Sequence, residues 1–272
     1  MKLVLAAVLG VSVLLKCNFY NGADFARSVA EARPYDAGGR PSAGVVPHHL
    51  AAAEMIAGFF EMASGYEYDT VFVIAPDHAG DIADAVVSFA GWDFNGAVEC
   101  DENLAKQIAG LNVGTGSRIA ISDERMREDH SVSSLIPYIS HYLPEAMVVP
   151  VLISRTMPLG STFRLADGIN KIIGETDKSV LLVCSVDFSH FLNPSQARAN
   201  DLVTERAMLE RDYAAIYGFG NEYADCPAAL IVFLKHLEAN GLEMKVLDRA
   251  CAADFIGRGV RETTTYFILT GV

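Results

Sequence analysis

The sequence predicts a single three-layer α/β/α domain built on a mixed, mostly parallel central sheet. Apolar, β-favouring runs alternate with helical segments along most of the chain. No internal repeat or long linker divides it. At 272 residues and 51% hydrophobic content the chain can bury a sizeable core. The formal net charge is −13, from 21 basic and 34 acidic residues, with no Lys/Arg-rich run. Such a surface repels phosphate backbones, so nucleic acid is not expected as a direct ligand.

Residues 1–16 are read as a separate apolar segment and residues 17–272 as the domain. Leu3–Leu15 carries no charge after Met1-Lys2, which fits the apolar region of an export signal and falls short of the roughly 20 residues of a membrane span. No Ala-x-Ala site follows, and Lys16 precedes Cys17 where a lipoprotein signal wants a small residue. Export or membrane tethering is slightly favoured over a cytoplasmic strand or helix of the fold. A membrane enters only if residues 1–16 act as an anchor.

Ala23–Arg33 reads as an amphipathic helix with Phe25 and Val29 on one face. Pro34–Gly44 is loop, rich in glycine and proline. Val45–Pro47 is a short strand, His49–Ser64 a helix, and Thr70–Ala75 a buried strand. Ala85–Ala90 is another strand. Glu102–Gly110 is helical, with Asp101 as N-cap and Gly110 as stop. Ile119–Ser122 is a short strand, and Arg125–His130 a charged approach to the helix Ser131–Leu143, which Pro137 should shorten or kink. Met147–Ile153 is a buried strand, Leu159–Gly174 a helix, Ser179–Val186 a buried strand and Ser195–Gly218 a long helix. Cys226-Pro227 opens a helix to Glu238, with proline where its missing N–H costs little. Met244–Ala253 and Thr263–Leu269 close the sheet.

Three apolar strands run into histidines: Pro47-His48, Pro76-Asp77-His78 and Asp187-Phe188-Ser189-His190. In such sheets ligands sit beyond the carboxyl ends of the strands, so His48, His78 and His190 are expected at one site. Imidazoles suit first-row transition metals. Asp187 and His190 could reach one pocket, where a carboxylate fixes an imidazole for acid–base work. Asp129 reads as a helix cap, with His130 a weaker candidate for the same pocket. His49, His141 and His236 read as ordinary surface or core histidines. The five cysteines (17, 100, 184, 226 and 251) form no CxxC pair and read mainly as small buried hydrophobes. Cys226 stands apart: a helix N-terminus should lower its thiol pKa and make it a soft ligand or a nucleophile.

Taken together, these landmarks resemble the Memo-like family, also named AmmeMemoRadiSam system protein B. The resemblance runs from Asn18-Phe19-Tyr20 to the C-terminus, through Pro47-His48, Ala75-Pro76-Asp77-His78, Asp129-His130-Ser131-Val132 to Pro137-Tyr138, Val186-Asp187-Phe188-Ser189-His190, and Cys226. It implies a fold like that of class III extradiol (LigB-type) dioxygenases, which use non-haem Fe(II). It also implies His48, His78 and Cys226 as metal ligands, with Asp187 and His190 lining the same pocket. The ion would be Fe(II) or copper, with a radical-SAM protein as a system partner. The chain departs from the family pattern in having His49 where a glycine follows the first histidine, Asp129 where the family has glutamate, Ser133 or Ser134 at the second acidic position of that motif, and Pro227 after the cysteine.

The functional expectation is a non-haem, metal-dependent redox activity in a His/His/Cys pocket. The alternative is a non-enzymatic module binding a peptide or small-molecule ligand in the same pocket. A further reading is hydrolysis, with Cys226 as nucleophile and His190 as base.

Overall fold

A computed structural model describes residues 14–17, 21–94, 96–256 and 261–272. The strands are β1 (Leu14–Lys16), β2 (Ala43–Val46), β3 (Thr70–Asp77), β4 (Ala85–Val87), β5 (Gly91–Asp93), β6 (Ala97–Val98), β7 (Ile119–Ile121), β8 (Met147–Ser154), β9 (Val180–Ser185), β10 (Met244–Cys251) and β11 (Thr265–Gly271). Eight of them form one sheet in the order β10-β11-β2-β9-β3-β8-β4-β7. The inner four, β2, β9, β3 and β8, run parallel. β11 is antiparallel to β2, and β4 to β8, so the sheet is mixed.

The parallel strands are continuous apolar runs because both their faces are covered. Side chains alternate between two cores. From β3, Phe72 and Ile74 pack with the helices 102–109, 159–175 and 227–240 on one face. Val71, Val73 and Ala75 pack with the helices 53–63 and 136–142 on the other. That is the expected α/β/α layering.

Several boundaries differ from the sequence reading, each for a local reason. Asp101 does cap helix 102–109, accepting from the Leu104 N–H, and Gly110 ends it. The expected helix over 131–143 is instead two, His130–Ser133 and Ile136–Tyr142, with Pro137 in the first turn of the second. The expected helix over 195–218 breaks at Arg211, which takes a left-handed φ of 57°, and restarts on Asp212, whose side chain caps Ala215. The charged approach to residue 130 contains a helix, Asp123–Glu128, capped by Ser122.

A second, three-stranded sheet of β1, β5 and β6 was not expected. Within the segment 1–16, Leu14–Lys16 forms β1, parallel to β5; residues 1–13, and the Asn18–Tyr20 landmark, lie outside the described residues. Among the described residues no helix is long and apolar enough to cross a membrane.

Candidate metal centre

β2, β9 and β3 are consecutive in the sheet and parallel, so their carboxyl ends open on the same edge. The chain leaving β2 delivers His48, that leaving β9 delivers Asp187, and His78 follows directly on β3. Topology alone thus gathers residues 139 positions apart in sequence.

His48 is 2% exposed. The Ser185 hydroxyl donates to the Ser131 carbonyl (2.8 Å), which leaves its oxygen to accept from His48 Nδ1 at 3.1 Å. Asp187 Oδ1 accepts the His48 backbone N–H at 3.1 Å. His48 Nε2 then faces two carboxylates, Asp225 Oδ2 at 3.2 Å and Asp187 Oδ2 at 3.5 Å. Burial disfavours the imidazolium, but Asp187 and Asp225 outweigh it and lift the His48 pKa to about 9.

His78 is held by Asp129, which is itself buried. One carboxylate accepts the His78 backbone N–H (2.9 Å) and Nδ1–H (3.0 Å) and also caps the next helix through the Ser131 N–H (3.0 Å). Burial alone would raise the carboxyl pKa, but His78 and these N–H donors bring it well below the usual carboxylate range. With Nδ1 committed to Asp129, His78 presents Nε2, an arrangement common behind metal-ligating histidines. His130 stacks on His78 with centroids 4.5 Å apart and meets His48 edge-on at 5.3 Å. Burial first, and then the charges of His48 and His78, push its pKa down to about 4.

Ligand atoms of His48, His78 and His130 lie within 4.8 Å of one another, as do those of His48, Asp187 and Asp225. A cleft of about 310 Å³ opens onto this cluster, lined by His78, His190, Arg155, Asn221 and Asp225 among others. Three buried polar atoms of residues lining this cleft have no hydrogen-bond partner, Asp77 Oδ2, Asp225 Oδ2 and His190 Nδ1. Asp225 Oδ2 approaches His48 within ion-pair distance but without hydrogen-bond geometry. A buried carboxylate oxygen left over beside clustered imidazoles is the donor set a cation fits. A larger cleft, about 630 Å³, lies elsewhere and carries the ion pairs Arg33–Glu54 and Arg27–Asp24.

The expected residues therefore divide. His48, His78 and Asp187 come together, and His190 shares the cleft wall with His78. Asp187 does not orient His190, because its oxygens face His48 and the His49 N–H. Cys226 belongs to neither ligand group among the described residues. Its thiol faces the Ala229 amide in the core, and burial, with Asp225 next, pushes its pKa well up, opposite to the lowering expected at a helix N-terminus. A buried protonated thiol is also a poor nucleophile. His49 bonds Tyr266, and His236 sits between Ser42 and Asn170, both in ordinary structural roles.

Two members are less legible in the sequence. His130 is a weaker candidate there because its approach depends on the turn that Asp129 caps. Asp225 carries one local signal, an acid directly before Cys-Pro at a helix start.

The Memo-like protein family model matches residues 28–258. A MEMO1 family protein of Pyrobaculum aerophilum is 26% identical over 193 residues, covering 68% of this chain and 66% of that protein. One from Pyrobaculum arsenaticum is 27% identical over 207 residues, covering 71% of each. The matched segments thus span about two thirds of these relatives' own lengths. An uncharacterized protein of Escherichia coli K12 superposes with a TM-score of 0.54 at 11% identity, over 85% of this chain and all of the other, a likeness of fold alone.

Proposed function

The chain belongs to the Memo-like family, and from that premise we propose that it binds a transition metal, iron or copper, at the carboxyl edge of its central sheet and acts as a metal-dependent redox protein. The observation that supports this is the convergence of His48, His78 and His130 with two buried carboxylates at the foot of an open cleft. His48 and His78 are the proposed imidazole ligands. Ser185 and Asp129 hold their Nδ1 atoms and leave each Nε2 for the ion. A bound iron or copper ion would supply one-electron chemistry and open positions for an oxygen-bearing ligand.

His190 lines the cleft, its buried Nδ1 has no hydrogen-bond partner, and the imidazole can exchange a proton with a bound ligand. Burial of the cluster around His48 excludes bulk water from the far side of the site.

The test is element analysis of untagged full-length protein, reconstituted anaerobically with Fe(II) or Cu(I). About one ion per chain is expected in the wild type, and none in His48→Ala or His78→Ala, with unchanged circular dichroism. Wild-type protein that takes up neither ion would refute the reading.

A second reading, a non-enzymatic peptide- or ligand-binding module, is favoured by Phe191. This aromatic side chain is 69% exposed at the cleft and held at a φ of 58°. It predicts ligand affinity that survives chelation; loss of binding on adding EDTA would rule it out.

A further inference from the structure

We infer that the carboxylate of Asp225, and not the thiolate of Cys226, joins His48 at the metal site, so that the site selects a hard divalent cation such as Fe(II) or Mn(II) over Cu(I). The assignment rests on the pocket holding a metal, as proposed above, and specifies a carboxylate ligand beside His48.

These two neighbours point to different places. Asp225 is anchored to the end of β9 by a reciprocal pair of bonds. Its N–H donates to the Asp187 carbonyl at 3.0 Å, and its Oδ1 accepts the Asp187 N–H at 3.2 Å. Arg155 fixes the same loop from the end of β8, donating to the carbonyls of Asp225 (2.9 Å), Phe219 (2.9 Å) and Ala224 (3.3 Å). This harness leaves the Oδ2 of Asp225 with no hydrogen bond to accept. It is buried, on a side chain only 9% exposed, and lies 3.2 Å from the Nε2 of His48. A desolvated, unsatisfied anionic oxygen is costly unless a cation or donor joins it.

Cys226 has no such vacancy to fill. It occupies the N-cap position of helix 227–240, where Pro227 fixes the backbone direction. Its sulfur packs into the core cluster that includes Cys184, Ala228 and Leu230. Reaching the pocket would require the sulfur to leave that core.

The exchange of donor changes the chemistry. Thiolate selects soft ions such as Cu(I), whereas carboxylate beside imidazole suits a harder divalent ion. Asp187 is less suited to the role, because its Oδ1 is occupied by the His48 and His49 N–H groups and its Oδ2 stands farther off, at 3.5 Å.

Co(II) titration of the full chain under anaerobic conditions tests this directly. The wild-type complex should show d–d bands without an intense near-ultraviolet thiolate-to-cobalt band. Asp225→Asn, which keeps the Oδ1 acceptor, should weaken Co(II) and Fe(II) binding by on the order of 100-fold, at or beyond the upper range for loss of a supporting partner. Cys226→Ser should leave both affinities unchanged. A thiolate band in the wild type would overturn the assignment, as would a Cys226→Ser protein that loses Co(II) while Asp225→Asn keeps it. The wild-type spectrum decides the matter even if a variant fails to fold. His48→Ala separates the two levels of the proposal: Co(II) binding unaffected by that change, or absent from the wild type, would sink the metal site itself and with it the Asp225 assignment.

Discussion

Asp129→Ala should be the most damaging single change near the site that touches no proposed ligand atom. The carboxylate accepts the His78 N–H and Nδ1–H, the Ser131 N–H, and the Ser131 hydroxyl at 2.7 Å. Loss of a helix cap costs about 1 kcal/mol. Each charge-assisted bond left unmade inside the protein costs about 1.5–3 kcal/mol, but the His78 side chain is 40% exposed and water can replace part of its share. Together these give about 3–4 kcal/mol, near the lower end for breaking a buried pair. For a chain of this size that corresponds to a fall of about 10 °C in Tm. Urea unfolding of the metal-free protein measures it. The pH dependence has a definite sign. Asp129 titrates below its ordinary value in the folded state, so its contribution is complete above the unfolded carboxylate pKa of about 3.9 and is lost as pH falls below that. The gap between wild type and variant should be constant from neutrality to about pH 4 and then close. Metal affinity should also fall about 10–100-fold, because His78 loses the partner that sets its tautomer. A variant within about 1 kcal/mol of wild type at pH 7 would refute the account, since even the cap alone is worth that much.

Other perturbations probe neighbouring claims. His48 has a raised folded pKa of about 9, so its contribution to the metal-free protein is full below about pH 6.5 and lost as pH rises through the folded value. His48→Gln should flatten the stability profile over that window, as chemical unfolding at a series of pH values will show. Gly58→Ala would gain helix propensity but drive a Cβ against the Arg33 carbonyl and the Tyr35 ring; a net loss of about 1–2 kcal/mol is expected from overpacking, measured by thermal unfolding. Arg155→Ala frees the carbonyls of Phe219, Ala224 and Asp225. Hydrogen exchange should quicken over residues 219–226 while the central strands keep their protection.

What the sequence made legible follows from burial. Parallel strands covered on both faces must be apolar runs, so Val71–Ile74 and Met147–Ile153 announced themselves. The outlets of β2, β3 and β9 could be read because their polar residues follow those runs directly. The small sheet could not, because β5 and β6 are three and two residues long and owe their form to tertiary pairing. Arg211 gave no local warning either: a left-handed arginine carries none of the glycine or proline signals that mark helix ends. At the site, His130 and Asp225 depend on contacts between distant segments. The inward turn of Cys226 depends on the space available in the core. Residue type named the chemistry of that position, and packing decided which of two neighbours faces it.

The order of strands bears on how the protein breathes. The three strands that carry the candidate ligands are adjacent in the interior of the sheet, while β10 and β7 form its margins. Margins fray first, with opening energies near zero, and central strands separate only in global unfolding. Fraying at either border should therefore leave the imidazole cluster assembled, and the pocket should persist until the domain as a whole gives way.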